Sequence, residues 1–168
     1  MTTLTCKTCH KSKANYKCAL CTDTICKSCA EFLDENTFSF LKSVPEELKF
    51  SCYCINCFDE KVRATFEDYN ETMEKAKDII IYSKEQSKLT RLLKKKEPAY
   101  VVENCEDQQE CLMRMSFMAV KAKFNCLVDV QFNSKKIIVG SHKKTIWSAS
   151  GIPITIDPNE IRGHLDPP

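Results

Sequence analysis

Apolar residues fall along this chain in two different rhythms. From Phe58 onward, Phe58, Val62, Phe66, Tyr69, Met73 and Ala76 recur at steps of four, four, three, four and three. That spacing lines one face of a helix. Asp59 and Glu60 open it and Lys75 and Lys77 close it, as the helix dipole prefers. Beyond it the pattern is mixed. Ile79 to Tyr82 reads as a short strand, and Lys84 to Lys96 as a helix with Leu89, Leu92 and Leu93 on one side, ending before Pro98. Tyr100 to Val102 predicts a strand. A helix is expected from Asp107 to about Lys123, with Cys111, Met115, Met118, Ala119 and Ala122 on one face. Leu127 to Phe132, Ile137 to Val139, Thr145 to Trp147 and Ile152 to Ile156 read as further strands, the last placed at an edge by Pro153. The tail after Asp157 holds Pro and Gly and is expected to be loose.

The stretch before Phe58 follows neither rhythm. It has few apolar runs, and a piece so small buries little core unaided. It carries nine of the chain's 12 cysteines, between Cys6 and Cys57. The organisation expected is a cysteine-rich domain over 3–58, a connecting helix over 59–77, an α+β domain over 78–157 and a tail over 158–168.

Composition removes several functions. The 168 residues carry a net charge of +2, without the strong basic excess of a dedicated nucleic-acid protein. Three glycines exclude Gly-rich phosphate loops. No apolar run approaches the roughly 18 residues of a membrane span. Met1 to Lys7 lack a hydrophobic signal core, so a cytoplasmic location is expected. No HExxH, Gly-x-Ser-x-Gly or P-loop motif occurs, and a non-enzymatic protein is expected. The run Arg91 to Lys96 reads as a solvated helix end.

The cysteines carry the chemistry. Cys6/Cys9, Cys18/Cys21, Cys26/Cys29 and Cys54/Cys57 form four CxxC pairs, separated by eight, four and 24 residues. Two intervening residues let both thiolates of a pair turn toward one ion, and four thiolates at about 2.3 Å close a tetrahedral zinc site. Eight supply two such sites. A disulfide framework suits a secreted domain and is disfavoured here. An iron–sulfur cluster is disfavoured by the regular pairing without a trailing Cys-Pro. Four thiolates leave no position for a reactive water, so the zincs are read as structural. The spacing permits two pairings. Cys18/Cys21 and Cys26/Cys29 could share an ion across the short loop Thr22 to Ile25, or the pairs could interleave.

The run Cys18-Ala-Leu-Cys21-Thr-Asp-Thr-Ile-Cys26-Lys-Ser-Cys29, with a pair before and a pair after, resembles the FYVE zinc finger. FYVE belongs to the cross-brace group with RING and PHD modules. The resemblance covers about residues 3–60. It implies that Cys6, Cys9, Cys26 and Cys29 bind one zinc and that Cys18, Cys21, Cys54 and Cys57 bind the other. It also implies a phosphatidylinositol 3-phosphate site, for which Lys11, Lys13 and Lys17 are the nearby cations. Lysines are point charges rather than the bidentate forks that grip phosphate. Cys52 and His10 are spare ligand candidates; Cys54 is preferred to Cys52 because it completes a C-x2-C pair. Cys105, Cys111 and Cys126 lack a chelating spacing and read as small buried hydrophobes.

Ala119 to Phe132, with Thr145 to Pro153, is similar to the YbjQ-like bacterial domains, a family assigned to heavy-metal binding. That likeness, over about residues 110–157, implies homo-oligomers; no ligand cluster here supports its metal role. The function expected is a zinc-binding interaction module contacting protein, with a phosphoinositide membrane adaptor and a ubiquitin-ligase-type helper as alternatives and nucleic acid disfavoured.

Overall fold

The computed structural model describes residues 4–11 and 13–157. The chain divides into two compact units, Met1–Asn70 and Glu71–Pro168. The fold is α+β, with small and mostly antiparallel sheets.

The first unit contains two minimal ribbons. β1 (Tyr16–Lys17) pairs antiparallel with β2 (Thr24–Ile25), and β3 (Ala30–Phe32) with β4 (Cys52–Cys54). A helical turn, α1 (Ile55–Cys57), and a π turn (Phe58–Val62) lead into α2 (Arg63–Lys77), which runs across the division between the units. The predicted stripe faces inward, with Phe58, Val62, Tyr69 and Ala76 all buried. This unit is less bare than its sequence suggests. Phe38 packs edge-on against Phe66 and Tyr69, and Phe58 against Phe66 and Tyr53. Tyr53 is fully buried, and its hydroxyl donates to the Glu47 carbonyl at 2.9 Å and accepts from the Phe50 N–H at 3.1 Å.

The second unit is one four-stranded sheet in the order β5-β7-β8-β6. β5 (Ile80–Ser83) runs parallel to β7 (Cys126–Val139); β8 (His142–Ile154) is antiparallel to β7 and to β6 (Tyr100–Cys105). The expected separate strands are fused: β7 and β8 form one long hairpin closed by the two residues Gly140-Ser141. Gly140 has φ 62, the conformation that a two-residue hairpin with Gly in first place requires. Pro153 stands in an interior strand. However, β6 ends opposite Gly151, so at Pro153 the ladder has a neighbour on the β7 side alone.

Two strands, β7 and β6, change face part-way. Leu127 and Val130 share the core beneath α4 (Gln108–Lys121), whereas Cys126 and Val128 face the opposite side with Tyr82 and Ile154. A β-bulge with Asp129 at φ 53 causes the shift. A second bulge, with Asn104 at φ 59, brings both Val102 and Cys105 to the α4 side. Gly151 lies opposite the β7 bulge; a Cβ there would stand 2.9 Å from Val130 Cγ2.

Asp107 caps α4, accepting the Glu110 N–H at 2.7 Å, and Glu110 reaches back to the Glu106 N–H at 2.6 Å. The helix ends with Lys123 left-handed at φ 64, its N–H bonded to the Val120 carbonyl and the Phe124 N–H to the Ala119 carbonyl. That is a Schellman stop made without glycine. Asn125 then clasps Ile156, donating to its carbonyl at 2.8 Å and accepting its N–H at 2.9 Å.

The helix expected over 84–96 does not form. A 3-10 turn (Lys84–Gln86) and α3 (Ser87–Thr90) are all that appear, and Leu92 is 85% exposed. Lys95 is drawn instead to Asp129 on β7, at 2.6 Å, and Leu93 packs beside Tyr82 and Ile154. These two anchors compete with a regular helical path. The tail expected over 158–168 lies outside the described residues.

Candidate metal centre

Each CxxC pair sits in a tight turn that its own backbone closes. In the first, the His10 N–H donates to the Cys6 carbonyl at 2.8 Å and the Cys6 N–H to the Lys11 carbonyl at 2.8 Å. In the second, Thr22 donates to the Cys18 carbonyl and Cys18 to the Asp23 carbonyl, both at 2.9 Å. The residue after each pair, His10 at φ 57 and Thr22 at φ 63, is left-handed. The third pair spans the 3-10 turn Lys27–Cys29. The fourth joins the end of β4 to α1, where the Cys57 N–H points at Cys54 Sγ, 3.4 Å away.

The ribbons decide which pairs meet. In β1–β2, Tyr16 lies opposite Ile25 and Lys17 opposite Thr24. Cys18 therefore leaves at the turn end of this ribbon, and Cys26 at its open end. The four residues Thr22 to Ile25 carry the third pair away from the second, so the short-loop pairing is not made. Lys7 donates to the Thr24 carbonyl at 2.9 Å, seating the first pair alongside β2. Ala19 donates to the Cys52 carbonyl at 3.0 Å, bringing the second pair to β4.

Two groups result, Cys6, Cys9, Cys26 and Cys29 in one and Cys18, Cys21, Cys54 and Cys57 in the other. Within each, the sulfurs all lie within 4.8 Å of one another. Cys9 and Cys26 Sγ are 3.7 Å apart, and Cys21 and Cys54 Sγ are 3.8 Å apart. Four sulfurs at about 2.3 Å from one ion, at tetrahedral angles, are about 3.8 Å apart. The separation is far beyond a disulfide bond of about 2.0 Å, and all 12 cysteines are free thiols. The donor set and its spacing fit two ions held by four thiolates each. Cys6, Cys18, Cys26 and Cys54, the first of each pair, are buried.

Without a cation the thiols of each group divide into easy and reluctant acids. Backbone hydrogen bonding from Cys9 holds Cys6 down, to about 6, against burial. At Cys18 burial pushes upward, but backbone hydrogen bonds from Cys21, Cys54 and Leu20 outweigh it and bring the thiol to about 6. The Ser28 hydroxyl, 3.1 Å from Cys26 Sγ, lowers Cys26. Burial raises Cys29 to about 12 and Cys21 to about 11, and raises Cys57 as well. A divalent cation among them removes this reluctance by neutralising the sulfurs together.

Cys52 and His10 belong to neither group. Cys52 stays close, packed beside the buried thiols, and burial raises its thiol. Lys11, Lys13 and Lys17 are all exposed, Lys13 in a left-handed conformation at φ 76. Cys105, Cys111 and Cys126 are fully buried in the second unit. The chain matches no protein-family model, no curated protein and no solved structure.

Proposed function

We propose that the first unit is a two-zinc cross-brace module, FYVE-like in ligand order, whose ions are structural and whose role is to present a non-enzymatic surface to a protein partner. The observation that carries it is the interleaving of four thiol pairs into two groups with the edge length of a zinc tetrathiolate. Four protein ligands leave an ion no open position for substrate or water, which favours support over catalysis. Each structural zinc contributes on the order of 10 kcal/mol to folding. The surface that suits a partner is the pair Tyr16 and Phe32, rings 5.1 Å apart and edge-on, with Phe32 48% exposed. Exposed aromatics on a rigid support are favoured contact residues.

Elemental analysis of the untagged protein tests the ligand scheme: two zincs per chain are expected, one would break it, and iron would change the class. Charged E2 enzyme is expected to give no autoubiquitination. Flotation on phosphatidylinositol 3-phosphate vesicles, lost when Lys11, Lys13 and Lys17 are changed to Ala, would replace the protein-contact reading with a lipid one.

A further inference from the structure

β7 and β8 outrun their own sheet. β5 accompanies β7 as far as Val130, and β6 accompanies β8 from Gly151 to Trp147. Past those points the two strands continue with each other alone, from Lys135 opposite Ile146 to Val139 opposite His142. Among the described residues, neither edge of this ribbon has a strand beside it. At about 3.4 Å per residue it extends about 14 Å.

Its chemistry is one-sided. Residues 133–146 contain Lys135, Lys136, Lys143 and Lys144 and no carboxylate. Lys144 meets Glu106 from outside the ribbon at 3.2 Å, but both side chains are more than half exposed and the pair is weak. At the far end Ile138 is 74% exposed and Val139 57%. A tight turn thus holds two aliphatic side chains in water, with lysines directly behind them.

We propose that this ribbon docks tip-first on an acidic phospholipid bilayer, Ile138 and Val139 entering the boundary of the acyl chains and the four lysines lying against the headgroups. An anionic surface with hydrocarbon just beneath is complementary to both features at once. Nucleic acid is the poorer fit. All four cations are lysines, which suit a diffuse negative field rather than the bidentate contacts that read bases. The tip is mainly aliphatic, and its single ring, His142 opposite Val139, is too little to stack a run of bases.

The test is flotation of the zinc-replete full chain on phosphatidylcholine vesicles with and without phosphatidylserine. The protein is expected to float with phosphatidylserine alone and to be released by salt. Each of Lys135, Lys136, Lys143 and Lys144 changed to Ala lowers partitioning about fivefold. Ile138→Ser with Val139→Ser lowers it about tenfold. These positions are exposed, so circular dichroism and the melting temperature stay unchanged. Lys11→Ala with Lys13→Ala and Lys17→Ala leaves flotation intact. The proposal is overturned by flotation indifferent to phosphatidylserine or to the ribbon substitutions, by loss of flotation in the finger-lysine variant, or by tight binding to duplex DNA without flotation.

Discussion

Cysteine does opposite work in the two units. Around the four thiol pairs the buried cluster is Cys6, Ala14, Cys18, Ile25, Cys26 and Cys54, most of it sulfur. Backbone N–H groups surround those sulfurs, and Cys6 and Cys18 are brought down to about 6. In the sheet unit Cys105, Cys111 and Cys126 are just as deeply buried, but among Met115, Leu127, Val128 and their neighbours. Burial there pushes Cys111 and Cys126 up to about 12. Burial alone therefore does not mark a ligand. What sets Cys6 and Cys18 apart is the polar backbone turned toward their sulfurs, while Cys29 and Cys57 are raised by burial like Cys111; what marks all eight is their gathering into fours.

The strongest attack on this contrast is metal removal. A chelator should unfold residues 4–57, with a loss on the order of 10 kcal/mol per ion. Trp147, the chain's single tryptophan, lies in β8 and should keep its folded emission. Metal content and circular dichroism read the first event and fluorescence the second; collapse of both signals together would erase the distinction. Gly151→Ala works in the opposite direction. It drives a Cβ into Val130, which is 2% exposed and has little room to yield. Thermal unfolding should show a loss of about 1–3 kcal/mol, with two metal ions retained. Thr22→Gly should stabilise the finger by about 1 kcal/mol, because a β-branched residue now stands at φ 63. Chelator titration against the parent protein measures it.

The smallest expected effect is electrostatic. The Glu106 N–H, and then Arg114, hold the Glu110 carboxyl below its ordinary value. A lowered carboxylate stabilises the fold above its ordinary range and loses that contribution as pH falls through the lowered value. Glu110→Gln should thus cost about 0.5–1 kcal/mol near neutral pH and progressively less in acid, as read by denaturant midpoints across pH.

The thiol pairs were legible because a ligand turn has a fixed local spacing. Spacing alone left their interleaving open; the FYVE resemblance implied the two groups that form, and the β1–β2 register, which two-residue strands do not advertise, is what sets them. The stripe from Phe58 to Ala76 was legible for the same local reason as the pairs. The long hairpin was missed although Ile-Ile-Val-Gly-Ser-His-Lys-Lys holds a two-residue turn with Gly in first place. The helix expected from Asp107 does form, and Asp107 with Glu110 marks its start. Leu89, Leu92 and Leu93 gave the right period for a helix over 84–96, but a distant partner, Asp129, competes for Lys95. The bulges at Asn104 and Asp129 leave no periodic trace, since each inserts one residue into an otherwise regular alternation.

The interleaved pairing has a kinetic side. The cheapest ring the chain can close brings Cys18/Cys21 onto Cys26/Cys29 across four residues, and short rings close fastest. That capture is the wrong one for the finished molecule. If the proposed ions bind, one captured there would have to let go again before the distant fourth pair could claim its share, and the order in which metal and chain meet would then govern how cleanly the module matures.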